Sequence, residues 1–439
     1  MPRKALKIVS LIILGIFGLS LFAFVVRYSA IDGKRLGPIA NIVNAFSQFP
    51  GDMISVLRSK ELRGVPVTYM DADPNFQPVN KLENDLFALN SYFNIDNSNW
   101  EVRLTNLKNG TVNHRWQLNK ESYLQEDRNF RNAELRNSIL LENRQLIAAS
   151  DETKNLYRLD RESNLVWQNN DKVYHHAMNL ATDGNIWICS SDNRYFTNKQ
   201  TPKGQTFRDD FITKVDINTG EILFDKSVAE ILMENGYPNF VYGSSNYRLL
   251  IKYGYQLEID PLHLNDIEPV FSDGPYWQKG DLFLSIRNRS IVLLYRPSTN
   301  KVIRVIFGEM LHQHDVDILN DSTISIFNNN VTNIGIENKR DDHVIQDEFL
   351  SSEILFYNFA DSTFKTQWNS LMLQENILTR SQGFHQLLNN GDIYIENQND
   401  AKVYIFRDNE IVFKQQFQTP MEGMVEQPHW VRLYENIDF

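Results

Sequence analysis

Cysteine is almost missing from this chain: Cys189 stands alone among 439 residues, so no intrachain disulfide can form, although an oxidising compartment stays open. It follows Ile186, Trp187 and Ile188 in a strand-like run and reads as a buried structural thiol. Positive charge is also short, with 44 Lys and Arg against 55 Asp and Glu and a net charge of −11. Phosphate backbones need clustered basic side chains, which are lacking, so nucleic acid is not an expected partner. Helical periodicity nearly disappears after Asn99. What is abundant is apolar and aromatic material, 42% and 12% of residues with 27 Phe and 18 Tyr, ample for a packed β core. Length alone admits one large repeat domain or two or three ordinary ones.

Near the N-terminus, Arg3, Lys4 and Lys7 precede an uncharged run from Ile8 to Val26, closed by Arg27. At 19 residues the run has about the length of a bilayer-crossing helix. It is therefore expected to be an uncleaved membrane anchor over residues 1–27. Its basic flank stays cytoplasmic, and the remainder lies on the periplasmic side of the inner membrane. From 28 to 66 the spacing of Ile39, Ile42, Val43 and Phe46, then Met53, Ile54, Val56 and Leu57, predicts an amphipathic helical stalk.

Residues 67–439 carry a repeated hairpin pattern. One version joins two apolar strands through a short polar turn at Trp100–Val112, Leu156–Trp167, Phe211–Leu223, Ile291–Ile303, Ile354–Trp368 and Val403–Phe413. A second enters a very apolar strand at Leu140–Ile147, Leu180–Ile188, Trp277–Leu284, Leu319–Ile326 and Leu387–Tyr394, with a degenerate sixth assigned to Tyr242–Leu257. Two alternating hairpins make a four-stranded unit. A series of such units predicts an all-β, six-bladed β-propeller, with five or seven blades as the neighbouring counts.

Two of the inner hairpins carry histidine at matching places. His176 stands seven residues before the turn residue Asp183, and His314 stands seven before Asp321. Innermost propeller strands surround one axis, so residues entering them converge on a common mouth. Asp260–Pro269 brings His263 and Asn265 toward the same place. Arg287 joins them only if the exit of the strand Asp281–Ile286 faces that mouth. Strand alternation puts His175 on the face opposite His176, in a structural role, while His312 shares the parity of His314. Near His385 the equivalent place is taken by Gly383, which fits a need for room. Asp315 is expected to orient a neighbouring histidine or to stabilise its turn.

His176 before Asp183-Gly184, His263-Leu264-Asn265, Ser285-Ile286-Arg287-Asn288 and Gln313-His314-Asp315 before Asn320-Asp321 together resemble the bacterial arylsulfotransferase family. The likeness extends over roughly residues 100 to 417. It implies an exported six-bladed propeller that moves a sulfuryl group between phenols without the nucleotide sulfate donor. By this resemblance His314 is the histidine that becomes sulfurylated, His176 and His263 are auxiliary histidines, and Asn265 and Arg287 assist. The implied partners are an aryl sulfate donor and a phenolic acceptor, with no cofactor and no metal. Family members are typically soluble or dimeric periplasmic proteins, so a homodimer is an open expectation. Two departures stand out: the lone cysteine forbids the disulfide found near the active site of relatives, and the apolar N-terminal run is unlike theirs.

Two other readings compete. Three histidines with a carboxylate would suit a metal-dependent propeller hydrolase, but Arg287 would repel the ion and no carboxylate recurs with the histidines in the sequence. A membrane-tethered propeller acting as a non-catalytic binding or scaffold protein is the third.

Overall fold

The computed structural model describes residues 3–32, 42, 49, 53, 65–118, 134–195, 206–243, 260–331 and 351–437. It divides into two compact units, Met1–Val67 and Thr68–Phe439.

In the first unit the N-terminal run forms one long helix, Arg3–Asp32, whose described side chains from residue 10 to 26 are mostly exposed, Leu11, Phe17 and Leu19 among them. Among the described residues no helix is long and apolar enough to cross a membrane. The transmembrane expectation is therefore not supported by the described residues, whose exposed apolar side chains run only from residue 10 to 26. The expected stalk, 28–66, lies largely outside the described residues.

The second unit is all-β and antiparallel. Six sheets of four or five strands follow one another along the chain, and a small three-stranded sheet is built from Tyr69–Asp71, Met424–Glu426 and Phe417–Gln418. In the first five the outer pair of strands is one of the polar-turn hairpins expected from sequence, for example Asn155–Leu159 with Leu165–Asn169 in sheet two. The same holds for Ile291–Arg296 with Lys301–Phe307 in sheet four. In sheet six the expected hairpin, Lys402–Arg407 with Glu410–Gln415, is flanked by Val79–Asn80. Five inner pairs also follow the expected hairpins. The sixth does not come from Tyr242–Leu257: Pro238–Tyr242 is a short helix, and 244–259 lie outside the described residues. Its strand is supplied by the far end of the chain, where Arg432–Tyr434 pairs with Phe87–Leu89 in sheet one. No search for local hairpins can find a partner more than three hundred residues away.

The first strands of the six sheets are Arg432–Tyr434, Leu135–Leu140, Val173–Leu180, Leu264–Pro269, Val316–Asn320 and Phe384–Leu387. Carboxylates stitch most of them together. Asp151 accepts from the His176 N–H at 3.0 Å, Asp210 from Leu264 at 2.8 Å, Asp266 from Val316 at 2.8 Å, and Asp315 from His385 at 2.8 Å. Glu396 accepts from the N–H groups of Trp430 and Val431, and Asn137 donates to the His429 carbonyl at 3.2 Å, which completes the circuit. A cavity of about 350 Å³ is lined by residues from all six first strands, so they surround one axis. Apolar faces of successive sheets pack between them. Trp187, Ile212, Leu284 and Tyr295 fill the gap between sheets three and four, and Phe327, Ile354, Ile395 and Tyr404 that between five and six. Burial at ~25 cal/mol per Å² is what holds such repeats together, since one sheet alone covers only part of its apolar surface.

Candidate active site

Every first strand contains, or is shortly preceded by, a residue in the left-handed region: Trp430, Asn137, His176, His263, His312 and Gln382 have φ between 47° and 68°. A bulky L-residue pays about 1–3 kcal/mol for that backbone. The return is a break in strand alternation, which turns consecutive side chains toward the axis. At His176 it coincides with a register shift between Tyr174 and Met178.

This geometry gathers the expected histidines. The ring centroids of His176 and His263 are 4.9 Å apart and those of His176 and His314 6.0 Å. Arg287 follows the strand Leu282–Ile286, which pairs with Leu264–Pro269, and its N–H donates to the His263 carbonyl at 3.1 Å. The exit of that strand therefore does face the histidine mouth. Asn265 is fully buried, and its amide donates to the Gln313 carbonyl at 2.8 Å. It thus secures the peptide beside His314, while its own side-chain oxygen has no partner among the described residues.

Several residues join the site that sequence alone did not single out. Asp260 lies 2.5 Å from His263 Nδ1, an i, i+3 contact, and that spacing was visible in the sequence as the only available signal. His175 is not turned away: the bulge at His176 overrides alternation, so His175 Nδ1 meets His176 Nδ1 at 3.0 Å and its Nε2 lies 3.5 Å from Asp210. Arg136, held by Glu134 at 2.7 Å and Asp151 at 3.2 Å, brings a second guanidinium whose charge reaches His176. Asn329, just past the strand Thr323–Asn328, hydrogen-bonds His314 Nδ1 at 2.6 Å. Nothing in the Asn328-Asn329-Asn330 run marks it. His312 donates from Nδ1 to the Val331 carbonyl, 2.8 Å away. Asp315 turns to His385, 2.7 Å from its Nδ1, rather than to His314. At Gly383, φ is +117° and a Cβ would stand 2.3 Å from the Phe327 ring, so the glycine answers a need for room. Cys189 is buried, and burial pushes its thiol well above the ordinary range.

The electrostatics follow from burial. Desolvation, with Arg287 beside it, holds His314 well below the ordinary imidazole range. Desolvation and then His263 do the same to His176. Both rings are neutral at pH 7 and keep a lone pair. Among the described residues, His263 is the one of the three expected histidines with a carboxylate directly on its ring. Although no carboxylate recurs with the histidines in the sequence, Asp151, Glu152, Asp210 and Asp260 all lie among them in space. Glu152, His175 and His176 present ligand atoms within 4.8 Å of one another, as do Asp315, Asp317 and His385 at the other end of the axis. Either group has donors that suit a divalent cation.

A family model described as Arylsulfotransferase (ASST) matches residues 137–418. The chain belongs to the arylsulfotransferase family. Membership points to aryl sulfotransfer, and the matched residues take in His175, His176, His263, Arg287, His312 and His314 but not Arg136. No curated protein matches this arylsulfotransferase-family chain. Among solved structures, it is similar to a protein of unknown function from Bacteroides caccae, at 10% identity and a TM-score of 0.47, over 81% of this chain and 100% of that one. It is also similar to a catalytically inactive virginiamycin B lyase from Staphylococcus aureus with quinupristin, at 9% identity and a TM-score of 0.38, covering 79% and 89%. Hydrazine synthase from Kuenenia stuttgartiensis is similar at 10% identity and a TM-score of 0.40, over 77% and 80%.

Proposed function

We propose that this protein is a six-bladed β-propeller that moves a sulfuryl group from a phenolic sulfate ester to a phenol through a sulfohistidine at His314, without a nucleotide donor. The observation that carries the reading is the cluster of neutral His176 and His314 with His263 and Arg287 at one mouth of the axis, in a chain of this family.

In the first half, the Nε2 lone pair of His314 attacks sulfur as the ester S–O bond breaks. The departing phenolate takes a proton from His263, whose Nδ1 lies 2.5 Å from an Asp260 carboxylate oxygen. In the second half, the acceptor phenol returns a proton to His263 while its oxygen attacks sulfur, the N–S bond breaks and His314 recovers its lone pair. Arg287 offers fixed N–H donors to the sulfuryl oxygens, a contribution commonly worth about 3 kcal/mol per well-placed donor. The acid–base role lies with His263 on the strength of its carboxylate, and His176 lines the basin between the two rings. In the free protein the Gln382 N–H donates to His314 Nε2 at 3.1 Å, so substrate must displace that bond, at a cost of about 1 kcal/mol.

The test is transfer from p-nitrophenyl sulfate to a phenol, with His314→Asn as control. Release of p-nitrophenol that needs both His314 and an acceptor supports the reading. Binding of either phenol without turnover favours a non-catalytic propeller. The Glu152, His175 and His176 grouping favours a second reading, metal-dependent hydrolysis, which predicts chelator-sensitive release that needs no acceptor. The apolar run Ile8–Val26, with Arg3, Lys4 and Lys7 before it, supports attachment to the inner membrane with the β unit on its outer side. Protease accessibility in intact spheroplasts tests that placement.

A further inference from the structure

We infer that Asn329 is a positioning residue: it fixes the proton of His314 on Nδ1 and so dedicates Nε2 to the incoming sulfur. This deepens the reading above and rests on it for its chemical meaning.

Asn329 is fully buried, and its side chain has only one workable orientation. Nδ2 donates to two backbone carbonyls, Thr379 at 2.7 Å and Gln382 at 2.5 Å. Carbonyl oxygens only accept, so the amide nitrogen is committed to them and Oδ1 is left facing His314 Nδ1 at 2.6 Å. An amide oxygen also only accepts. The proton of a neutral His314 must therefore sit on Nδ1, and the lone pair on Nε2. A second contact agrees independently: the Gln382 N–H donates to Nε2. Both restraints come from one piece of chain, because Asn329 itself grips residues 379 and 382. The ring is thereby held at both nitrogens.

The choice of an amide over a carboxylate also has a chemical consequence. When Nε2 bonds to sulfur, the ring keeps its Nδ1 proton and gains positive charge, and its bond to Oδ1 becomes charge-assisted. Asparagine strengthens that contact without adding a negative charge in the resting state. Aspartate at 329 would favour a protonated ring before reaction, removing the lone pair that attacks. The other charged or titratable groups that act on His314 are Arg287 and His263 from sheet four, with the His176 ring facing it from sheet three. None of them contacts Nδ1.

The experiment is ¹⁵N NMR of the full chain labelled at histidine, with His314 assigned from the spectrum of His314→Asn, alongside steady-state kinetics of Asn329→Leu and Asn329→Asp. Wild-type His314 is expected as the Nδ1–H tautomer. Asn329→Leu gives a mixed-tautomer signal and a kcat lowered on the order of tenfold to a hundredfold, with KM within about threefold. Asn329→Asp raises the ring's titration midpoint and moves the acid limb of the kcat profile to higher pH by the same interval. A wild-type ring protonated on Nε2 overturns the inference even if both variants fail to fold. So does a folded Asn329→Leu protein whose tautomer and kcat are unchanged. A chain with the expected tautomer that transfers no sulfuryl group sustains the assignment of Asn329 and overturns only the proposed reaction.

Discussion

The two ends of the axis enclosed by the six first strands subject opposite kinds of group to the same force. At the strand entrances burial lowers the basicity of His176 and His314 until they are neutral. Toward the other end Asp266, Glu268, Asp315 and Asp317 line the 350 Å³ cavity with Arg432 as their main cation, and burial raises all four. Asp315 and Asp317 are each pushed up to about 7. Desolvation disfavours charge whatever its sign. On a base it leaves a lone pair able to attack, and on an acid it leaves a proton and no nucleophile. The same scaffold therefore gathers several neutral imidazoles beside Arg287 at one mouth, while at the other the single buried His385 is held between the carboxyls of Asp315 and Asp317, which is why the 350 Å³ cavity is not where the chemistry is assigned.

The strongest way to break this contrast is to exchange one residue at each end. His314→Asn is expected to lower turnover of p-nitrophenyl sulfate by at least about a thousandfold, the scale for losing a nucleophile. Asp317→Asn should stay within about threefold. Equal losses would show that the two ends do not differ in function. Next in size, Asp260→Asn removes the carboxylate from His263 and should reduce kcat roughly a hundredfold, most for phenols that leave poorly. A loss equal for good and poor leaving groups would take the acid role away from His263.

Gly383→Ala probes the packing beside Gln382. A Cβ there strikes the Phe327 ring and meets a φ of +117°, so unfolding by denaturant should show a loss of about 2 kcal/mol or more. The smallest effect expected is a change of slope with pH. A histidine whose folded pKa is depressed contributes stability above about pH 6.5, the unfolded value, and loses it as pH falls below that. A carboxyl raised to about 7 does the reverse, stabilising the fold increasingly as pH falls from 7 toward 4. Between pH 7 and 5, His314→Asn should therefore flatten the loss of stability on acidification, and Asp317→Asn should steepen it. Identical slopes in the two variants would refute the electrostatic contrast.

Much of this arrangement was legible in the chain. The outer hairpins follow alternating apolar patterns closed by Asn, Asp and Gly turns, which are local signals, and all six fall where the patterns put them. The equal offsets of His176 and His314 from their turns likewise translate into rings 6.0 Å apart. What escaped notice depends on non-local contacts or broken alternation. The last inner strand, Arg432–Tyr434, belongs to a sheet begun at Phe87. His175 was assigned to the wrong face because a left-handed residue at His176 interrupts the strand period. Asn329 reaches His314 only because carbonyls fifty residues further along hold its amide. The N-terminal run met a length criterion in sequence, yet the described helix side chains fall short of a crossing.

The most direct measurement is intact-protein and peptide mass spectrometry of the enzyme mixed with p-nitrophenyl sulfate in the absence of an acceptor. One sulfuryl group should appear on the peptide containing His314, vanish when a phenol is added, and never form on His314→Asn protein. Steady turnover with no label on the protein, or a label on any other residue, would contradict the account.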